Sequence, residues 1–307
     1  MLLQSLSQET ARMLQTIILS LVSKILERTV HNRVTHHLTK KLPSNCQFGF
    51  RSGHSTQEAL LTVTNELLAT NHQIGSVLFD VRKAFNTVPH SISGPLLLWF
   101  RDYLSNRHQR VVLNRASSIL HPGGPQGSIL GPLLFNILIN SITNISLSSG
   151  SKLALYTDDL VLYRLINSSL DVEALQEDIN QWTKAHGLTL NFTKTNVLPI
   201  TRSPQPIQLH HHLENTPLKV VSSVKYLGAT ISSDLAWNKH IFNLIKTTKR
   251  QIGLIHRKLY QATPKTRHAI YKSTILPKLE YSCSVWDPHA VTLINELEKT
   301  QKLQVEL

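Results

Sequence analysis

The tetrad Tyr156-Thr157-Asp158-Asp159 stands between two apolar runs, Leu153-Ala154-Leu155 and Leu160-Val161-Leu162. Short apolar runs joined by a polar tip predict a β-hairpin. Adjacent aspartates at such a tip repel each other unless a cation lies beside them, so the pair points to a divalent metal. For the tetrad alone, a solvated Asp-Asp turn is the plain alternative.

A carboxylate elsewhere bears on that choice. Val77-Leu78-Phe79 reads as a buried strand that ends at Asp80. Two-metal phosphoryl transfer needs carboxylates from separate strands converging on ions about 3.5–4 Å apart, and Asp80 and Asp158 can supply them. Between them, Gly123-Gly124-Pro125-Gln126-Gly127-Ser128 opens into an apolar segment that runs to Ile139. Pro132 suits the first turn of a helix, and the glycines allow backbone to approach a ligand closely. Taken by itself, this stretch also fits an ordinary loop before a core helix.

In this order the segments resemble the reverse transcriptase domain of non-LTR (LINE-type), jockey-like retrotransposons. The likeness takes in Ser20 to Arg28, Gln47-Phe48-Gly49-Phe50-Arg51, Ser55 to Leu60, Phe79-Asp80 and Pro125-Gln126-Gly127. It continues through the Tyr156 to Asp159 tetrad, Leu188 to Asn191 with Lys194-Thr195, and Tyr226-Leu227-Gly228. The resemblance implies an α+β fold, the polymerase right hand. Residues 1–75 would be fingers, 76–240 a palm of antiparallel sheet packed on helices, and 241–307 a partial helical thumb. It implies an RNA-directed DNA polymerase that adds deoxynucleotides to a primer 3′ end. Its partners would be an RNA template, a DNA primer and deoxynucleoside triphosphates. A catalytically inactive nucleic-acid-binding remnant is the alternative.

The same resemblance assigns roles residue by residue. Asp80 and Asp158 match the ligands of Mg2+, or Mn2+ in its place, and Asp159 the second aspartate of the hairpin. Phe85 matches the aromatic gate beneath the incoming sugar, and Gln126 the contact to the templating strand. Gly127 and Arg51 complete the substrate-binding set. Lys194 matches a lysine that protonates the departing pyrophosphate. Tyr226, Leu227 and Gly228 match the turn that grips the primer end.

The chain also departs from that family pattern. Leu14-Gln15-Thr16-Ile17 stands where relatives carry an Arg-Pro-Ile-Ser block, so an arginine expected at the triphosphate is missing. Roughly ten residues of a palm helix, nearly three turns, are absent after His90. Asn86, Ser141 and Thr157 replace an aspartate, an aspartate and an alanine. With the family's upstream endonuclease absent, the expectation is a domain truncated at both ends and weakened by decay.

Composition agrees with a nucleic-acid partner. Lys plus Arg number 32 against 19 Asp plus Glu, a formal charge of +13, which suits phosphate backbones. No run approaches the ~18 apolar residues of a membrane span, and the first residues do not read as a signal peptide. The two cysteines, Cys46 and Cys283, read as reduced thiols of an intracellular protein. His210-His211-His212, bracketed by Pro204, Pro206 and Pro217, is expected in a polar loop.

Periodicity predicts helices over 17–38 and 56–69. Leu175, Ile179 and Trp182 recur at helical spacing and predict a support helix that ends before Gly187. Beyond Trp237, Ile241, Leu244, Ile245, Ile252 and Ile255 fall on one face. Lys246, Lys249, Arg250, Arg257 and Lys258 take the rest, a basic amphipathic surface suited to a duplex.

Overall fold

The computed structural model of the chain describes residues 21–38, 46–69, 72–80, 94–105, 108–109, 112–113, 116–117, 121–122, 128–142, 146–186 and 194–302. Within them the architecture is mixed helix and sheet. Helices α1 (Leu21–Leu38) and α2 (Thr56–Leu68) lead into strand β1 (Gln73–Asp80). Ser55 caps α2 by accepting a hydrogen bond from Glu58 N–H at 3.1 Å. A serine cap with glutamate three residues on is the sequence signature of a helix start.

Helix α3 (Pro95–Leu104) follows. Two short ribbons come next, β2 (His108–Gln109) with β5 (His121–Pro122) and β3 (Val112–Leu113) with β4 (Ala116–Ser117). Helix α4 (Leu130–Ile142) precedes the hairpin of β6 (Ser151–Tyr156) and β7 (Asp159–Ile166), which leads to α5 (Ser169–His186) and β8 (Asn196–Ile200). A ribbon of β9 (His212–Leu213) and β10 (Thr216–Pro217) is followed by β11 (Lys219–Val220) and by a second hairpin, β12 (Ser223–Tyr226) with β13 (Ala229–Ser232). The chain then turns helical through α6 (Asn238–Lys258), α7 (Pro264–Thr274), α8 (Leu276–Leu279), α9 (Cys283–Trp286) and α10 (Val291–Lys302).

Five strands form the main sheet in the order β11-β8-β1-β7-β6. Every pairing is antiparallel except β11 with β8, which is parallel. The expected antiparallel sheet therefore carries one parallel edge. Alternation along β1 splits the core. Val77 and Phe79 face Phe135 of α4 and Leu175, Ile179 and Trp182 of α5. Ile74 and Leu78 face Ala59, Leu60 and Val63 of α2, the β12–β13 hairpin and Val285. Trp182 is 1 % exposed and its ring lies 5.2 Å from that of Phe79. Such a side chain contributes about 3–5 kcal/mol against truncation to alanine.

A satellite core joins α1, α3 and α4 through Val34, Phe100, Leu130 and Leu134. Its polar anchor is Glu27, buried in α1, which accepts from Tyr103 Oη and from Ile129 N–H, both at 2.8 Å. Helix α6 buries Ile241, Ile245 and Ile252 and exposes Lys246, Lys249, Arg250, Arg257 and Lys258, the two faces its periodicity calls for. Among the described residues, no helix is long and apolar enough to cross a membrane.

The histidine run meets the sequence expectation only in part: His210 is exposed and outside any strand. His211 is 2 % exposed and His212 lies on β9. Two glutamines strap the backbone on either side of His211: Gln73 at the start of β1 donates to Ile207 O and accepts from Ile207 N–H, both at 2.7 Å, and Gln176 of α5 donates to His212 O at 2.8 Å and accepts from His212 N–H at 2.9 Å. Neither ring nitrogen of His211 has a hydrogen-bond partner among the described residues. Burial, then the neighbouring His212 and His210, pushes its pKa down to about 4. His240 behaves alike: burial, then Lys225, pushes it down to about 4.

Both rings are thus neutral in the fold and charge readily once unfolded, at a pKa of about 6.5. The stability they contribute is complete above pH ~6.5 and is lost as pH falls from there toward 4. Thermal denaturation should show a midpoint lower at pH 5 than at pH 7. His211→Leu should blunt that acid loss by on the order of 1–3 kcal/mol. An identical pH dependence in the variant would refute this account.

Candidate active site

The tetrad folds as its pattern demands. In the β6–β7 pair Tyr156 is in register with Asp159, which leaves Thr157 and Asp158 as a two-residue turn. Thr157 sits at φ 57°, an unusual conformation for a β-branched residue and a mark of local strain. Its hydroxyl donates to Asp158 Oδ1 at 2.8 Å. The carboxylates of Asp158 and Asp159 are both exposed. Among the described residues Asp158 has no ion pair.

Strand β1 runs antiparallel to β7 and brings Asp80 into register with Asp159. Its backbone position is what the structure describes for Asp80. On the other edge of β1, Asn196 pairs with Leu78. Lys194, two residues ahead of Asn196 and exposed, therefore enters at the sheet end where β1 closes. Asn196 Nδ2 donates to Lys194 O at 2.7 Å and shapes that entry. Positions 80, 158, 159 and 194, far apart in sequence, thus share one end of the sheet.

Arg51 approaches from the N-terminal side. Phe48 N–H donates to Leu155 O at 2.9 Å, and Leu155 N–H donates to Cys46 O at 2.7 Å, so residues 46–48 run along β6. Gln47 Oε1 accepts from Gly49 N–H, and Arg51 Nη1 donates to Gln47 O. A Cβ on Gly49 would lie 2.6 Å from the Thr157 backbone nitrogen and 2.8 Å from Thr157 Cγ2. Only glycine permits that approach. Gly49 is the contact that seats the Arg51 loop against the aspartate turn, a role the sequence does not announce, since a lone glycine between two phenylalanines has no turn pattern around it.

The Tyr226-Leu227-Gly228 motif forms the tip of the β12–β13 hairpin, with Tyr226 in register with Ala229. Leu227 and Gly228 sit at φ 45° and 85°, the condition of a two-residue type I′ turn. Tyr226 packs in the same core as Leu78, Ala154 and Val161. Its phenol is raised in pKa by burial and then by the charge of Asp159. This second hairpin therefore lies within electrostatic range of the first. Phe85, Gln126 and Gly127 lie outside the described residues, as do Leu14 to Ile17 and the stretch after His90.

Residues 7–231 match the family described as reverse transcriptase (RNA-dependent DNA polymerase). The chain belongs to that family. It is 28 % identical over 294 residues to a probable RNA-directed DNA polymerase from transposon X-element of Drosophila melanogaster, covering 86 % of this chain and 32 % of the relative. It is 29 % identical over 319 residues to the corresponding protein of transposon BS from the same species, covering 92 % and 34 %. A third relative, the RNA-directed DNA polymerase from mobile element jockey of Drosophila funebris, is 28 % identical over 319 residues, covering 93 % and 34 %. The chain spans about a third of the length of these curated relatives. Among solved structures, telomerase from Candida albicans in complex with a fragment of telomeric RNA aligns at 12 % identity and a TM-score of 0.45, over 98 % of this chain and 57 % of the telomerase.

The contact at Gly49 has a direct consequence. Gly49→Ala drives a methyl group into backbone that cannot yield without moving the strained Thr157 turn, a cost on the order of 1–3 kcal/mol. Its melting midpoint should fall by several degrees, while Ser52→Ala on the exposed side of the same loop leaves the midpoint in place. Equal midpoints for the two variants would remove Gly49 from the site.

Proposed function

We propose that this chain is an RNA-directed DNA polymerase domain that adds deoxynucleotides to a primer 3′ end on an RNA template. The observation that carries the reading is the register of Asp80 with Asp159 beside the Thr157-Asp158 turn. The donor set fits Mg2+, or Mn2+ in its place. Asp158 offers carboxylate oxygens free of ion pairs among the described residues, and hard oxygen ligands are what these ions take. Asp80 and Asp158 would hold the ions, which when bound neutralise the attacking and leaving oxygens.

The rest of the reaction falls to the chain's own groups. The primer 3′-hydroxyl gives up its proton to solvent as its oxygen bonds to the α-phosphorus of the incoming nucleotide, and the bond from that phosphorus to pyrophosphate breaks. Lys194, at the β8 entry, gives a proton to the departing pyrophosphate. Arg51 binds substrate phosphate from the loop seated on the Thr157 turn. Phe85 excludes a 2′-hydroxyl, and Gln126 with Gly127 meets the templating strand. Tyr226, Leu227 and Gly228 hold the primer end. In this reading residues 1–75 are fingers, 76–240 palm and 241–307 a partial thumb, whose exposed Lys246, Lys249, Arg250, Arg257 and Lys258 grip the duplex by charge. The protein works inside the cell, where its nucleic acids and nucleotides are.

Asp158→Asn is the decisive variant, because Asp158 is exposed and an asparagine oxygen can still accept from the Thr157 hydroxyl. Primer extension in Mg2+ should drop by at least ~100-fold, with primer-template affinity within about twofold, since binding rests on dispersed basic side chains. Undiminished extension in the variant would sink the metal assignment. Binding without any extension by the unaltered chain would select the inactive remnant instead.

A further inference from the structure

The Leu227-Gly228 turn lacks one of the two residues that make such turns self-sustaining. A type I′ turn wants asparagine, aspartate or glycine at its first position, yet leucine occupies it at φ 45°. Something outside the hairpin must hold it. Tyr281, between α8 and α9, donates its hydroxyl to Leu227 O at 2.8 Å. Its Cε1 would lie 3.0 Å from a Cβ on Gly228. The residue reaches the turn from the helical region that follows the hairpin in the chain.

Tyr281 is itself fixed by its neighbours. Ser282, next in the chain, is buried and left-handed at φ 54°. Trp286 Nε1 donates to Tyr281 O at 2.8 Å, and Val285 enters the core beneath α2 and the β12–β13 hairpin. Gln57 of α2 donates to Ser284 Oγ. Buried anchors thus hold the 281–286 corner, while the Tyr281 side chain is 39 % exposed. Its hydroxyl and ring edge are the parts that meet the turn.

We propose that Tyr281 is a positioning residue for the primer strand. Through Leu227 O and the face of Gly228 it fixes the turn relative to the aspartate hairpin, and so sets where the sugar-phosphate end of the primer comes to rest. The inference rests on the reading of Tyr226-Leu227-Gly228 as the primer-binding turn. It adds that this turn is held by the 281–286 corner and not by the hairpin alone.

The test compares affinity for an RNA-DNA primer-template with a recessed 3′ end against a blunt duplex of equal length, using the whole chain and Tyr281→Phe. Removing one hydrogen bond to the turn should cut the preference for the recessed end by about fivefold. Blunt-duplex affinity and the melting midpoint should stay where they are, and amide hydrogen exchange at Leu227 to Ala229 should quicken. Where the chain extends primers, the apparent KM for primer-template should rise while that for deoxynucleotides holds. A variant that keeps both the recessed-end preference and slow exchange overturns the role of Tyr281 and leaves the polymerase reading standing. Faster exchange with an unchanged preference also overturns it, since the contact would then be structural alone. If the unaltered chain shows no preference for recessed ends, the primer-binding reading of the turn fails and takes this inference with it.

Discussion

Strand β1 is paired along both edges, and its register sets almost everything else. Against β7 it runs from Gln73 opposite Ile166 to Asp80 opposite Asp159, and against β8 from Ile74 opposite Ile200 to Leu78 opposite Asn196. A slip of one residue would turn Val77 and Phe79 away from Trp182 and Ile74 and Leu78 away from α2. The same slip would carry position 80 off the aspartate turn. The apolar layers on the two faces therefore hold the register of the candidate site as a by-product of packing.

Buried polar groups reinforce that register at places where irregular backbone crosses the core. Gln73 pairs with both backbone groups of Ile207, Glu27 accepts from Tyr103 and Ile129, and Asp178 Oδ1 accepts from Ser148 N–H at 2.8 Å. Buried hydrogen bonds are costly to leave unmade, so each fixes one position of its segment. Glu27 is of particular interest, because Ile129 directly follows Ser128 at the exit of the Gly123 to Gly127 segment. A helix near the start of the described chain is thereby tied to the residues that lead into α4.

Both hairpin turns of the proposed site are strained. Thr157 and Leu227 occupy left-handed conformations that neither residue favours. In each case a contact from a distant segment supports the turn: the Gly49 backbone lies against Thr157, and Tyr281 reaches Leu227. Such strain persists where surrounding structure over-determines it, and it clusters at sites that must be held in one geometry.

Much of this was legible in the chain itself. The hairpin at Tyr156 to Asp159, the α5 face of Leu175, Ile179 and Trp182, and the two faces of α6 follow from local periodicity, because each depends on residues within a few positions of one another. The motif order was enough for the family. Sequence could not decide that β1 sits between β7 and β8, since strand order is set by how two apolar faces find partners across the whole molecule. Nor could it foresee the burial of His211, in a segment held by the distant Gln73 and Gln176, or the parallel pairing of β11 with β8. Gly49 and Tyr281 were illegible for the same physical reason: a glycine's close approach and a tyrosine's hydrogen bond have meaning only once the chain has brought the other surface to them.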